Sequence, residues 1–216
     1  MVAIIPTVFS HNKREFVKRL NHLIPHTKYL QIDFMDGRFV KSKSVKLDDV
    51  PNLKKHNKFF EAHLMVNSPQ SYLNELKRKG FCKIIFHYEA LGNDHEVMGL
   101  VARIKSLGLK VFLGVNPETS VKKIKPHLRM LDGVLLMGVH PGREHQKLLA
   151  STYKRVREIK KLNPKIKVQV DGGVNLKNIK RLVDAGVDIV NSGSLVAESD
   201  NPKGMILELK SSHSPQ

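Results

Sequence analysis

The sequence predicts a single (β/α)8 barrel, and three observations support that prediction. Short apolar, β-rich runs alternate along the chain with polar stretches of helical periodicity, which indicates a parallel sheet. The apolar runs are nearly continuous, as is typical of strands that are covered on both faces. Eight such units fit into 216 residues, a length near the short end for a closed barrel. An open, doubly wound sheet stays as the alternative, because counting units does not show closure.

Several of the predicted strands follow a glycine, which suits the left-handed position that ends a helix. The predicted strands are Val2–Phe9, Lys28–Phe34, Phe59–Met65, Lys83–His87, Lys110–Val115, Gly133–Val139, Lys165–Val170 and Val187–Ser192. The clearest predicted helices are Lys13–Leu23, Pro69–Lys79, His95–Leu107, Gln146–Leu162 and Leu176–Ala185. Because no linker or low-complexity segment divides the chain, we expect one domain over residues 1–210 and a frayed tail over 211–216.

Composition narrows the class of protein. Hydrophobic residues make up 41% of the chain, yet no apolar run approaches the length of a membrane span, so we expect no membrane association. The N-terminus has no basic region before its short apolar stretch, and it does not resemble a signal peptide. Cys82 is the single cysteine and cannot form an internal disulfide. A reducing cytoplasm is therefore the expected location.

The net charge of +17 raises the alternative of a nucleic-acid-binding protein. Lysine and arginine are spread over nearly every predicted helix, however, and only 6% of the residues are aromatic and able to stack on bases. A solvated, lysine-rich surface is the favoured interpretation, and no nucleic-acid partner is expected. Such a field can also collect anionic substrates such as sugar phosphates.

Polar residues stand at the predicted strand ends, where a β/α barrel gathers its reactive groups. Asp33 lies within the apolar run YLQIDFM, and the period of two places it on one face with Gln31 and Met35. Asp33 or His63 taken alone is more often a structural residue than a functional one. Together with Asp171, however, they supply two carboxylates and an imidazole at strand ends, a set that can bind a divalent ion.

Glycines provide a second signal in the last two units. Asp-Gly-Gly follows the seventh strand and Ser-Gly-Ser follows the eighth, where barrels commonly bind phosphate with backbone N–H groups. Either motif alone is weak, because a glycine after a strand usually marks a turn. Both together favour a phosphate site that includes Gly172, Gly173, Gly193 and Ser194.

The chain resembles the ribulose-phosphate 3-epimerase family from end to end, because its strand-end motifs match those of the family in order and in spacing. The segments that carry the resemblance are IIPTVFS, IDFMDGRFV, EAHLMV, FHYEA, GVNPET, LLMGVHPG, VQVDGGV and VNSGS. The resemblance implies a TIM barrel and an isomerase of carbohydrate metabolism, in the pentose phosphate pathway. The implied partner is a phosphorylated ketose, by default ribulose 5-phosphate, and a homo-oligomer is implied as well.

The resemblance also implies roles for individual residues. Asp33 and Asp171 match the acid and base that exchange the proton at the third carbon. Asp33, His63 and Asp171 match the ligands of one divalent ion (zinc, iron, manganese or cobalt), which serves as a Lewis acid. The remaining matches concern the substrate: Thr7 for a serine that touches it, Met35, Met65 and Met137 over its reacting carbons, and the four glycine-motif residues at its phosphate.

Four departures from the family pattern bear on the metal and the substrate. Gln31 stands where the family has a fourth metal ligand, a histidine, and Gln169 replaces an acidic residue. Lys41-Ser42-Lys43-Ser44 replaces a Pro-Asn-x-Thr stretch, and the glycine-rich loop after strand six reads Gly142-Arg143-Glu144-His145-Gln146. In that loop Gly142 and Arg143 are predicted to contact the substrate, with Arg143 as a phosphate clamp. The alternative, with equal weight, is a solvated loop that does not contact the phosphate.

Three functions therefore stay open at this stage. The leading prediction is a metal-dependent 3-epimerase of ribulose 5-phosphate. A hexulose-phosphate 3-epimerase of the allulose 6-phosphate type is the nearest alternative, because loops around the pocket set that choice. A diverged, non-catalytic sugar-phosphate-binding relative is the third, although such a protein has no need of both aspartates, His63 and three methionines.

Overall fold

A computed structural model describes residues 2–212 and shows a closed barrel of eight parallel strands. The strands are β1 (Ala3–Val8), β2 (Tyr29–Met35), β3 (Phe59–Met65), β4 (Phe81–His87), β5 (Lys110–Val115), β6 (Gly133–Met137), β7 (Lys167–Asp171) and β8 (Ile189–Ser192). Each strand pairs with the next, and β8 closes the barrel against β1 from Ala3↔Ile189 to Pro6↔Ser192. Closure confirms the predicted barrel over the open sheet.

Helices surround the strands. They are α1 (Lys13–Leu23), α2 (Leu73–Lys79), α3 (Asp94–Ser106), α4 (Ser151–Leu162), α5 (Ile179–Asp184), α6 (Ser194–Ala197) and α7 (Pro202–Ser211). A 3-10 helix over Val121–His127 connects β5 to β6. No helix among residues 2–212 combines the length and apolar character that a membrane span requires.

Helix boundaries differ from the sequence prediction where tertiary contacts or proline decide. α4 begins at Ser151, five residues after the predicted start, because the preceding segment passes so close to Gly173 that a Cβ there would strike the backbone of Leu148. The Val121–His127 segment contains Pro126, which limits it to a 3-10 helix. α7 reaches Ser211, the first residue of the predicted tail, and residues 213–216 lie outside the described part of the chain.

Most of the apolar core lies in two layers. The larger one lies between strands and helices and takes the outward side chains of β2, among them Leu30, Ile32 and Phe34. The smaller one lies inside the barrel and includes Ile85, Phe112, Leu135, Met137 and Val139. It fills only part of the interior, because buried polar side chains take up the rest: Gln31, Glu61, His63, Lys83, Gln169 and Asn191. This polar part of the interior leads up to the site.

Candidate active site

One cavity opens at the carboxyl ends of the strands and collects nearly all the predicted site residues. It is lined by Thr7, Asp33, Met35, His63, Met65, Met137, Gly142, Arg143, Asp171, Gly172, Gly173, Gly193 and Ser194, together with neighbouring loop residues. Gln31 is fully buried beneath it. The structure thus brings the predicted residues together, while their roles in binding and catalysis stay predictions.

The two aspartates approach each other from β2 and β7, with β1 and β8 between them. His63 on β3 bridges them, because its Nδ1 lies 3.2 Å from Asp33 Oδ1 and 3.3 Å from Asp171 Oδ2. Each carboxylate keeps 11% of its side-chain surface exposed, whereas His63 is fully buried. A ligand in the cavity can therefore reach both carboxylates, whereas most of the imidazole lies behind them.

Gln31 completes this group from below. Its Nε2 donates to Asp33 Oδ1 at 2.9 Å and to Asp171 Oδ2 at 2.6 Å, and it lies 3.3 Å from His63 Nδ1. The amide therefore supplies a donor shared by both aspartates. The period-two pattern of β2 correctly predicted that Gln31, Asp33 and Met35 share the inner face.

Burial and nearby charges shift the pKa values of Asp33 and His63. Burial raises the pKa of Asp33 to about 6, against the opposing effect of His63. Burial alone lowers the pKa of His63, but its hydrogen bonds and charge contacts with Asp171 and Asp33 outweigh burial and raise that pKa to about 9. Asp33 and His63 thus hold protons more strongly than the isolated side chains would.

His87 on β4 supports His63 from behind. The two Nε2 atoms lie 2.9 Å apart, and His87 Nδ1 lies 3.5 Å from Glu89 Oε2. Burial lowers the pKa of His87, so a neutral His87 accepts at Nε2 from the N–H of His63. That contact leaves His63 Nδ1 facing the two aspartates and fixes the orientation of the ring.

Methionines and an aromatic ring wall the cavity near the aspartates. Met35 and Met65 form a small buried cluster with Phe9, and Met137 belongs to the inner apolar layer. These side chains are at most 8% exposed. They exclude water from the carboxylates and offer no proton of their own.

Glycines shape the opposite wall. Gly172 and Gly173 have φ angles of +95° and +72°, in the left-handed region, and a Cβ on Gly172 would strike Val139. Only glycine fits these positions, so the backbone there can come close to a ligand. Gly193 and Ser194 follow β8, where the short helix α6 begins.

The loop after β6 forms the rim. Arg143 lines the cavity with an exposed side chain. Glu144 is held by Arg19 of α1 through paired hydrogen bonds of 3.0 to 3.2 Å, so its charge is balanced. His145 has a φ of +60°, unusual for a residue with a side chain, and its Nε2 lies 3.4 Å from Glu198 Oε1.

The deeper polar layer was not recognised from sequence as part of the site. Strand four was predicted to begin at Lys83, but β4 begins at Phe81. Lys83 is buried inside the barrel, on the same face of β4 as Ile85. Its Nζ forms an ion pair with Glu61 and donates to Gln169 Oε1 at 2.8 Å. The available signal was the period of two, since Glu61 precedes His63, and Gln169 precedes Asp171, by two residues.

Three side chains fit a divalent metal. The nearest carboxylate oxygens of Asp33 and Asp171 and the Nδ1 of His63 all lie within 4.8 Å of one another. Two oxygens and one nitrogen at this spacing suit an ion bound at about 2.0–2.2 Å. Gln31 presents its amide nitrogen to the same point, and a neutral amide nitrogen is not a ligand.

A closed β/α barrel whose strand ends bring two carboxylates and an imidazole into one cavity belongs to the class of barrel enzymes. The model of the ribulose-phosphate 3-epimerase family matches residues 2–197. The ribulose-phosphate 3-epimerase of Aquifex aeolicus is 33% identical over 84% of this chain and 83% of its own. That of Helicobacter pylori is 31% identical over 98% of each. The chain therefore belongs to the ribulose-phosphate 3-epimerase family and is a carbohydrate epimerase of the isomerase class.

Solved structures agree with the fold. The 3-keto-L-gulonate-6-phosphate decarboxylase of Vibrio cholerae superimposes with a TM-score of 0.76 over 98% of this chain and 97% of that chain, at 9% identity. At such low identity the likeness concerns the barrel alone.

Proposed function

We propose that the chain interconverts ribulose 5-phosphate and xylulose 5-phosphate by proton exchange at the third carbon, with Asp33 and Asp171 as the acid–base pair. The observation that carries this proposal is the approach of the two aspartates from β2 and β7 at the floor of one cavity. Inversion at a carbon needs a proton removed on one face and returned on the other, which a single carboxylate cannot do. The curated relatives are named for the pentulose phosphate, and nothing in the pocket favours a hexulose phosphate.

The two carboxylates need opposite protonation states at the same time. Burial raises the pKa of Asp33 to about 6, closer to neutral pH than that of an ordinary aspartate, which eases proton uptake and release at this carboxylate. Gln31 donates to both carboxylates and steadies them at a fixed separation. Met35, Met65 and Met137 hold the reacting carbons and keep out other proton sources.

Asp33, His63 and Asp171 are the residues that would hold one divalent ion. Such an ion supplies Lewis-acid stabilisation of the negative charge that develops at the carbonyl oxygen. His87 orients His63 for that role. The oxygen-rich ligand set is compatible with manganese, iron, cobalt or zinc.

The phosphate of the substrate would lie against the glycine wall. Gly172, Gly173, Gly193 and Ser194 line one side of the cavity, and Arg143 reaches the rim. Glu144 points toward this wall, but its ion pair with Arg19 balances the charge that would otherwise repel a phosphate. A cytoplasmic location and a homo-oligomeric assembly are further parts of the proposal, the second of which sedimentation velocity would check.

Solvent exchange tests the function most directly. Metal-reconstituted protein is incubated with ribulose 5-phosphate in deuterated water, and deuterium at the third carbon is followed by NMR. We expect one deuterium per turnover and the appearance of xylulose 5-phosphate. Tight binding of the sugar phosphate without exchange would instead identify a non-catalytic relative.

A further inference from the structure

A continuous line of buried polar side chains runs from the lower barrel interior to the aspartates. Lys83 on β4, Gln169 on β7 and Gln31 on β2 follow one another in this line, and they are 7%, 0% and 0% exposed. Because these side chains are buried, each donor must face an acceptor. The orientation of each amide in the line is therefore set by its neighbours.

Lys83 sets the first orientation. Its Nζ forms the ion pair with Glu61 and donates to Gln169 Oε1 at 2.8 Å. An ammonium group has only donors, so the oxygen end of the Gln169 amide must face it.

The nitrogen end of Gln169 then faces three acceptors. Gln169 Nε2 lies 2.6 Å from Glu61 Oε1, 2.5 Å from Asn191 Oδ1 and 3.4 Å from Gln31 Oε1. Turning this amide by half a rotation would set its nitrogen against an ammonium and its oxygen against a carboxylate. Both contacts would be repulsive in a buried site, where electrostatic interactions are strong.

The orientation of the Gln31 amide is set by its hydrogen bond with Gln169. Its oxygen faces the Gln169 amide nitrogen, and its own nitrogen donates to Asp33 Oδ1 and Asp171 Oδ2. The two aspartates demand the same orientation from the other side, since a carboxylate accepts only. The contacts of Lys83 at one end and of the aspartates at the other therefore select the same orientation of the Gln31 amide. In this orientation its nitrogen, and not its oxygen, faces the metal ligands.

We propose that Lys83 is a positioning residue: through Gln169 it holds Gln31 as a hydrogen-bond donor to both aspartates, outside the ligand set of the metal. The roles of the aspartates and of the metal rest on the proposed function, whereas the amide orientation does not. The protein then offers a metal ion three side-chain ligands, and Gln31 restrains two of them.

This arrangement makes positions 31 and 169 dependent on each other. A histidine that binds metal through one ring nitrogen carries a proton on the other and donates it to an acceptor. In Gln31→His that N–H would meet the Gln169 amide nitrogen, a donor facing a donor. Glu61→Gln/Gln169→Glu moves the carboxylate from position 61 to position 169, where it can accept from the histidine and still pair with Lys83 without facing a second carboxylate.

Zinc titration calorimetry on the metal-stripped full-length chain tests this dependence in a four-protein cycle. We expect Gln31→His to tighten zinc binding by less than about threefold when Gln169 is kept. In the Glu61→Gln/Gln169→Glu background the same change should tighten zinc binding by roughly tenfold or more, the scale of an outer hydrogen-bonding partner. Equal gains in the two backgrounds would overturn the proposal. Because no turnover is measured, a failure here is distinguishable from a failure of the proposed function.

The part played by Lys83 is tested by side-chain amide NMR. Glu61→Gln/Lys83→Met removes both partners of the ion pair and leaves no unpaired charge in the barrel. We expect the Gln31 side-chain N–H protons, assigned by their loss in Gln31→Met, to exchange with solvent at least about tenfold faster in this variant. Unchanged Gln31 exchange would remove Lys83 from the positioning role. If this variant does not fold, the same measurement on Glu61→Gln/Lys83→Gln, which keeps polar groups at both positions, decides the role of Lys83 by the same criterion.

Discussion

Asp33 and Asp171 are the residues on which the proposed chemistry depends. We expect Asp33→Asn and Asp171→Asn each to lower kcat by at least about a hundredfold, the usual scale for a positioned acid or base. Both side chains keep their volume, and an asparagine can still accept from Gln31, so the fold should persist. Steady-state kinetics at saturating metal, with the bound metal measured for each variant, separates lost proton transfer from lost metal. Near-normal turnover in either variant would exclude that residue from the acid–base pair.

Arg143 lines the cavity with an exposed side chain, and its predicted role is to clamp the phosphate of the substrate. If it clamps the phosphate, Arg143→Ala should raise KM for the phosphorylated ketose by roughly tenfold, the loss expected for a charge-assisted hydrogen bond. KM for the unphosphorylated ketose should not change. Arg129→Ala offers a matched control, because Arg129 is exposed and does not line the cavity. Equal effects on both substrates would favour a merely solvated loop.

The sequence predicted many of the residues that line the cavity, but it did not predict the buried polar layer beneath the cavity. The strand-end rule and the period of two placed Asp33, His63 and Asp171 in one cavity. The burial of Lys83 was not predicted, because a lysine at the start of an apolar run is usually exposed. Its burial depends on Glu61 and Gln169 from other strands, a partnership that no local pattern contains.

At the scale of elements, the loop after β6 contains a residue with a side chain in the left-handed region of the backbone. His145 has a φ of +60°, a conformation that costs a residue with a side chain about 1 kcal/mol or more. We expect His145→Gly to raise the free energy of unfolding by about 0.5–1 kcal/mol, or Tm by roughly 1–4 °C. His145→Ala is the matched control, because it also removes the contact with Glu198 but keeps a Cβ. If alanine stabilises as much as glycine does, the gain does not come from backbone strain.

Elements were predictable to the extent that periodicity defines them. α1 occupies its predicted range, Lys13–Leu23, with Asn12 capping it by accepting from the backbone N–H of Glu15 at 3.0 Å. α4 starts later than its sequence pattern suggests, because the preceding segment packs against Gly173. Contacts between distant parts of the chain, which a local pattern cannot register, account for that difference.

At the scale of the whole molecule, the barrel and the family followed from the order of strand-end motifs, whereas the assembly did not. The charge of +17 is also a property of the whole molecule. It is spread over the surface, and a surface of this sign attracts a sugar phosphate over distances set by the ionic strength. Screening by salt therefore offers a way to measure how much the positive charge contributes to substrate capture.

We expect kcat/KM for the phosphorylated ketose to fall several-fold when ionic strength rises from about 0.01 to 0.15 M, because the screening length shrinks from roughly 30 Å to 8 Å. kcat should change little, since the charges inside the closed site are screened far less. An unphosphorylated ketose has no charge to attract and serves as the control. A kcat/KM that does not respond to salt would assign the basic surface no part in substrate capture. In that case the lysines of the surface serve solubility, and the phosphate is recognised only by the groups that line the cavity.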